Sequence, residues 1–176
     1  AYLYAHPDVE VQGITCTFAN NNEHVVYYNT LQMMEDLEIT DVPVLKGGRT
    51  PGAYDSEAVN FLVDTVNKNP GEITVIAIGS MCNIAGAYTK DPEFFEKIHR
   101  LIVMGGILEP LYLNGVLCNE LNFTVDSESA AKVIYNCPKV SLLTAQCTQD
   151  AVYHLEDLEE MLDMNSNFMR WSRPIL

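Results

Sequence analysis

Amide and carboxylate side chains recur in this chain just beyond apolar runs, where a parallel sheet would send out its loops. Phe18-Ala19-Asn20 follows one such run, Gly79-Ser80-Met81-Cys82-Asn83 a second, Met104-Gly105-Gly106 a third, and residues 144–149 a fourth. The stretch 107–122 leaves the third and carries Glu109, Asn114, Glu120 and Asn122. Groups of this kind hydrogen-bond hydroxyls, which suits a sugar better than a phosphate. The sequence has no GxGxxG after a strand and no GxxxxGK(S/T), so dinucleotide and P-loop readings have little support. HExxH, Cys/His metal spacing and a GxSxG elbow are missing as well.

Apolar runs and helical patterns alternate to position these loops. Residues 9–17 read as a strand, with Ile14, Thr15 and Thr17 favouring it. Asn20-Asn21-Asn22 supplies turn and cap residues, and Tyr27, Leu31 and Met34 share one face of the helix that follows. Val42-Pro43-Val44-Leu45 is a short strand, and a helix beginning near Asp55-Ser56 aligns Ala58, Val59, Leu62, Thr65 and Val66. Residues 73–78 form the clearest strand, apolar at nearly every position as a parallel strand covered on both faces should be. A short helix from Asn83, another beginning at Asp91-Pro92-Glu93, and a strand over 101–104 come next. A long loop runs to about Asn122, Asp126 caps a helix, 140–144 is a last strand, and Leu155, Leu158, Met161 and Leu162 mark a final helix. The expected fold class is α/β: a three-layer αβα sandwich on a mainly parallel, Rossmann-like open sheet, in which ligands sit beyond the carboxyl ends of the strands.

Composition narrows the function classes. The 176 residues include 24 acidic and 10 basic side chains, a formal net charge of −14, and 48% are apolar. An acid excess of that size argues against nucleic acid or an anionic membrane surface as partner. Five cysteines form no CxxC pair and read as free thiols in a reducing compartment, so a cytoplasmic location is expected. The chain opens at Ala1 inside an apolar segment, with no signal-peptide pattern. It is read as one domain over 1–176 belonging to a longer sequence, with a loop omitted between Pro51 and Gly52.

Several short motifs, in order, resemble the inosine–uridine nucleoside hydrolase family. Val11-Gln12-Gly13-Ile14-Thr15 with Asn20 is similar to the family's first strand and loop, and Asp41-Val42-Pro43-Val44 to its next short strand. The run from Ile76 through Gly79-Ser80-Met81-Cys82-Asn83 to Ala85 resembles its strand-to-helix turn. Residues 100–106 resemble its Met-Gly-Gly strand end, and Glu120-Leu121-Asn122-Phe123 with Asp126 its Glu-Phe-Asn segment. The resemblance implies cleavage of the N-glycosidic bond of ribonucleosides by water bound to Ca2+, through an oxocarbenium-like ribosyl cation.

Carried over by position, it implies that Asn20, Asn114, Glu120 and Asn122 contact ribose hydroxyls and that Met104 lines the ribose. Cys82 stands where the family usually has Thr, and its backbone carbonyl is the implied calcium ligand. The family's Asp-x-Asp-x-x-x-Asp-Asp motif and late His-Asp pair are not among these residues, so no catalytic residue is assigned. The expected partners are a ribonucleoside and further copies of the chain, with neither nucleic acid nor membrane. The rival from another class is a non-catalytic nucleoside- or sugar-binding domain without the metal. Each residue also has an ordinary reading: Asn20, Asn21 and Asn22 as turn and cap, Asp126 as an N-cap, Met104 as core, Glu120 and Asn122 as solvated loop.

Overall fold

A computed structural model describes residues 2–113, 115–149, 151–152 and 157. Tyr2–Ala5 forms a short helix, α1. Ile14–Thr15 (β1) leads into Glu23–Asp36 (α2), and Val44–Leu45 (β2) into Glu57–Lys68 (α3). Thr74–Ala77 (β3) is followed by Cys82–Lys90 (α4) and Phe94–Lys97 (α5), then by Arg100–Met104 (β4). Leu111–Leu113 (β5) and Val116–Cys118 (β6) precede Ser127–Asn136 (α6), Val140–Leu143 (β7) and Ala145–Thr148 (α7). The expected final helix at Leu155, Leu158, Met161 and Leu162 lies outside the described residues.

β1 pairs parallel with β2, and β3, β4 and β7 form a parallel sheet with β4 in the centre. Within each sheet the strand exits therefore emerge at one edge, and a Thr17–Ser80 hydroxyl contact brings the exits of β1 and β3 together. Local chemistry explains why the helices start where they do. Asn22 and Ser56 cap α2 and α3, their side-chain oxygens accepting from the N–H of Val25 and Val59. Pro92 stands before α5, which begins two residues beyond it; the Asp91 carboxylate takes the Glu93 N–H and closes the turn first.

Three layers are visible around the β1–β2 pair. Ile14 and Val44 pack with Met34, Ile39 and Leu37 on the α2 side. The neighbouring Gly13 lies against the Phe61 ring of α3, as alternation along extended chain requires. At the three-stranded sheet, Val75, Ala77, Leu101 and Val103 bury against α3, α4 and α6 with Phe94, Phe95 and Ile98. Full burial of a side chain as large as Phe94 is worth about 1.5–3 kcal/mol. The opposite face is open among the described residues: Ile76 is 44% and Ile78 76% exposed, against the expectation of cover on both sides.

The expected long loop after β4 is in part a hairpin. Leu111, Tyr112 and Leu113 pair antiparallel with Cys118, Leu117 and Val116, and Asn-Gly stands between the two runs in the sequence. The link at Pro51–Gly52 is a tight turn: the Ala53 N–H bonds the Thr50 carbonyl at 3.1 Å and Gly52 takes φ +74°. Proline followed by a left-handed glycine is the pattern of a type II turn.

Candidate functional site

Asn83, buried at the start of α4, ties three strand exits together. Its Nδ2 donates to the Cys16 carbonyl beyond β1 and its Oδ1 accepts the Gly48 N–H beyond β2, both at 2.8 Å. Gly47 fits only because it has no side chain; a Cβ there would stand 1.9 Å from the Cys16 carbonyl oxygen. The Thr17 and Ser80 hydroxyls, 2.7 Å apart, join the exits of β1 and β3.

Beyond β4 the expected ribose residues converge. Asn122 is buried, and its Nδ2 donates to the Met104 carbonyl at 2.9 Å and lies 3.2 Å from the Met104 sulfur. That leaves Oδ1 as a fixed acceptor. Glu120, 7% exposed, takes the N–H of Asn122 at 2.7 Å and of Phe123 at 2.9 Å, one on each carboxylate oxygen. Each oxygen keeps room for a further donor. The Phe123 ring closes over Gly105 so tightly that a Cβ would meet it at 2.4 Å. Buried Glu120 and Asn122 thus form one hydrogen-bonded group with half-buried Met104 at a strand end.

The other assignments separate. Asn20 is exposed on the exit of β1 and its side chain takes no hydrogen bond within the described residues, while Asn22 is the helix cap. Asn114 lies outside the described residues. Asp126 is the N-cap of α6, accepting from the Ser129 N–H at 3.1 Å and its hydroxyl at 2.7 Å, and it also takes the Gly52 N–H at 3.4 Å. Cys82 opens α4 fully buried, its Sγ 3.6 Å from the carbonyls of both Thr50 and Ala53. Burial first, and then the Asp126 charge, push its thiol up to about 11, so it remains a neutral donor.

Glu23 and Arg49 carry chemistry that the sequence did not flag. Glu23 is 1% exposed in the first turn of α2, its Oε2 3.4 Å from Arg49 Nε, and neither carboxylate oxygen receives a hydrogen bond. The signal was faint, since an acid in the first helical turn is ordinarily a solvated partner of the helix dipole.

Calcium asks for several converging oxygens. Among the described residues no three His, Cys, Asp or Glu side chains converge as a metal requires. Glu120 and Asp126 are engaged by N–H and hydroxyl donors, and Glu23 sits against a guanidinium. The described residues by themselves do not compose a calcium site.

Fold and site together define an open parallel α/β domain whose β4 exit carries a buried amide–carboxylate pair, Asn122 and Glu120. The chain matches the inosine-uridine preferring nucleoside hydrolase family over residues 1–175, and it belongs to that family. It is 28% identical over 183 residues to the probable uridine nucleosidase 1 of Oryza sativa subsp. japonica, covering 88% of this chain and 56% of the relative. The pyrimidine-specific ribonucleoside hydrolase RihA of Escherichia coli O1:K1 / APEC is 25% identical over 182 residues, with 88% and 58% covered. Among solved structures, the purine-preferring ribonucleoside hydrolase from Gardnerella vaginalis superposes with a TM-score of 0.82 at 24% identity, over 94% of this chain and 62% of that one. A plant nucleoside hydrolase, the PpNRh1 enzyme, gives 0.82 and 24% over 94% and 61%. At that identity the likeness establishes the fold. The chain spans about three fifths of the length of these relatives.

Proposed function

We propose that the protein hydrolyses the N-glycosidic bond of ribonucleosides, and that this chain supplies the part of the site that holds the ribose. The observation that carries it is the hydrogen-bonded Glu120–Asn122–Met104 group at the β4 exit, with Glu120 and Asn122 buried, in a chain that belongs to a nucleoside hydrolase family. A sugar hydroxyl can donate to the Asn122 Oδ1 or to a Glu120 oxygen, both held in place by backbone groups. Such preorganisation fixes the ribose while the bond to the base lengthens. A carboxylate nearby also favours positive charge developing on the sugar ring. Asn20 and Asn114 join the hydroxyl contacts in this reading, and Met104 lines the sugar.

Calcium is the ion the family resemblance implies, with the Cys82 carbonyl as this chain's ligand; when bound, it would make water easier to deprotonate. Assembly of several copies belongs to the same reading and is supported by exposed Tyr112, Val116 and Leu117 on the hairpin. No helix among the described residues is long and apolar enough to cross a membrane. A cytoplasmic location is supported by the free state of Cys16, Cys82, Cys118, Cys137 and Cys147.

The test is chromatographic: the purified protein is incubated with uridine and with inosine, with and without a chelator, and free base is measured. Base released in the untreated sample and lost on chelation supports the reading. Nucleoside that binds but stays intact favours the non-catalytic binding domain instead.

A further inference from the structure

Asp126 is 3% exposed, and both oxygens of its carboxylate are engaged. Oδ1 accepts the Ser129 N–H at 3.1 Å and so caps α6. A serine or asparagine oxygen would do that much without the cost of burying a charge. The second oxygen reaches further. Oδ2 takes the Ser129 hydroxyl at 2.7 Å and the Gly52 N–H at 3.4 Å, 74 positions away in the chain. Because Ser129 donates its one hydroxyl proton to Asp126, the Tyr54 hydroxyl, 3.0 Å away, donates to Ser129 in turn. The link from β2 to α3 is thereby clamped at two points against the start of α6.

Both sides of this clamp lead to expected ribose contacts. On one side the Val125 N–H bonds the Leu121 carbonyl at 3.0 Å, and Thr124–Asp126 winds as a 3-10 turn. A short wound stretch therefore joins Asp126 to Asn122 and Glu120 at the β4 exit. On the other side the Thr50 and Ala53 carbonyls close on the Cys82 thiol at the start of α4, each at 3.6 Å. The next residue, Asn83, holds Cys16 and Gly48, and with them the exits of β1 and β2. Asn20 lies just beyond Cys16. A continuous series of contacts thus runs from the Glu120–Asn122 group to the β1 exit, and Asp126 is the charged link between the two halves.

We infer that Asp126 is a positioning residue for the sugar. It sets the spacing between Glu120 and Asn122 at the β4 exit and Asn20 at the β1 exit, so that the hydroxyls of one ribose meet both. Its own oxygens face Ser129 and Gly52, and it acts through the residues it holds. Two hydroxyl-binding groups held at a fixed spacing bind a ring without the cost of ordering them on contact. The inference rests on the ribonucleoside reading above and adds a residue to it.

Calorimetric dissociation constants for inosine test it on the full protein, in a cycle of Asp126→Asn, Asn20→Ala and the double variant beside the wild type. Asparagine keeps a capping oxygen for the Ser129 N–H but offers Gly52 no second acceptor. Inosine is expected to bind at least about tenfold more weakly to Asp126→Asn. Asn20→Ala is expected to cost about tenfold in the wild type and no more than about threefold once Asp126 is replaced, because the two halves no longer meet one ribose. A residue that only capped α6 would leave the Asn20 factor the same in both backgrounds. Tyr54→Phe spares the cap and the carboxylate and removes the other half of the clamp. It is expected to shrink the Asn20 factor as well, and it carries the cycle should Asp126→Asn not fold. An inosine constant unchanged by Asp126→Asn, or an Asn20 factor equal in the wild type and the clamp variants, would overturn the inference and leave the ribonucleoside reading standing. Failure of the wild type to bind inosine at all would overturn both.

Discussion

Replacing Asn83 with alanine should loosen the strand exits from one another. The side chain is buried and bonds two backbone groups at 2.8 Å, the carbonyl of Cys16 and the N–H of Gly48, and both of those residues are buried as well. Alanine leaves both backbone groups without a partner. An orphaned buried group costs about 1–3 kcal/mol, so the loss should be about 2–6 kcal/mol. Folding stability of single domains totals about 5–15 kcal/mol, which makes this a large fraction. The assay is urea unfolding followed by circular dichroism, where the midpoint should fall with the slope unchanged. For a chain of this length a 3 kcal/mol loss lowers Tm by about 6–12 °C. Asn83→Asp should be no milder, because its second oxygen would face the Cys16 carbonyl. A loss below about 0.5 kcal/mol in Asn83→Ala would refute the bridging role.

Gly47→Ala should cost at least about 3 kcal/mol in the same assay, because its Cβ would stand 1.9 Å from a carbonyl oxygen that Asn83 holds in place. Glu23→Gln should raise the unfolding free energy of the ligand-free protein by about 1–3 kcal/mol, since it removes a buried charge that has no hydrogen bond; a lower free energy would count against the orphaned carboxylate. The Cys82 thiol, ordinarily at 9.0, rises to about 11 on folding. Its contribution to stability is therefore complete below pH 9 and lost as pH climbs through about 11, and a Cys82→Ala variant should show a shallower alkaline loss in pH-dependent melts. Iodoacetamide at pH 8 should label exposed Cys147 before buried Cys16, Cys82 and Cys137, as peptide mapping by mass spectrometry would show.

The alternation of apolar strands with capped helices was legible because each signal is local. Asn22 and Ser56 cap the helices their positions suggest, and Asp126 caps α6 as its ordinary reading held. Asn-Gly between two short apolar runs is a hairpin signal, yet the polar residues around it give the stretch from β4 to Asn122 the pattern of one long loop, and the β5–β6 pairing lies inside it. The outer face of β3 was not legible, since period alone marks Ile76 and Ile78 as apolar without saying what covers them. At the β4 exit, the order of Met104, Glu120 and Asn122 along the chain already points to their lying together, as their hydrogen bonds show. Asn83 entered only as part of a motif, and its two bridging bonds join residues 67 and 35 positions away, which no local pattern records. Glu23 escaped for a related reason: its sequence neighbours make it an ordinary first-turn acid, and only tertiary packing buries it.

The claim that the β4 exit holds the ribose is tested most directly by comparing the dissociation constants of inosine for the wild type, Asn122→Ala and Glu120→Gln. The expected result is at least about a tenfold loss in each variant, the equivalent of about 1.4 kcal/mol for one well-made hydrogen bond to the sugar. Circular dichroism spectra matching the wild type would show that the fold is kept. Constants unchanged in both variants would contradict the claim and move the sugar site elsewhere on the sheet edge.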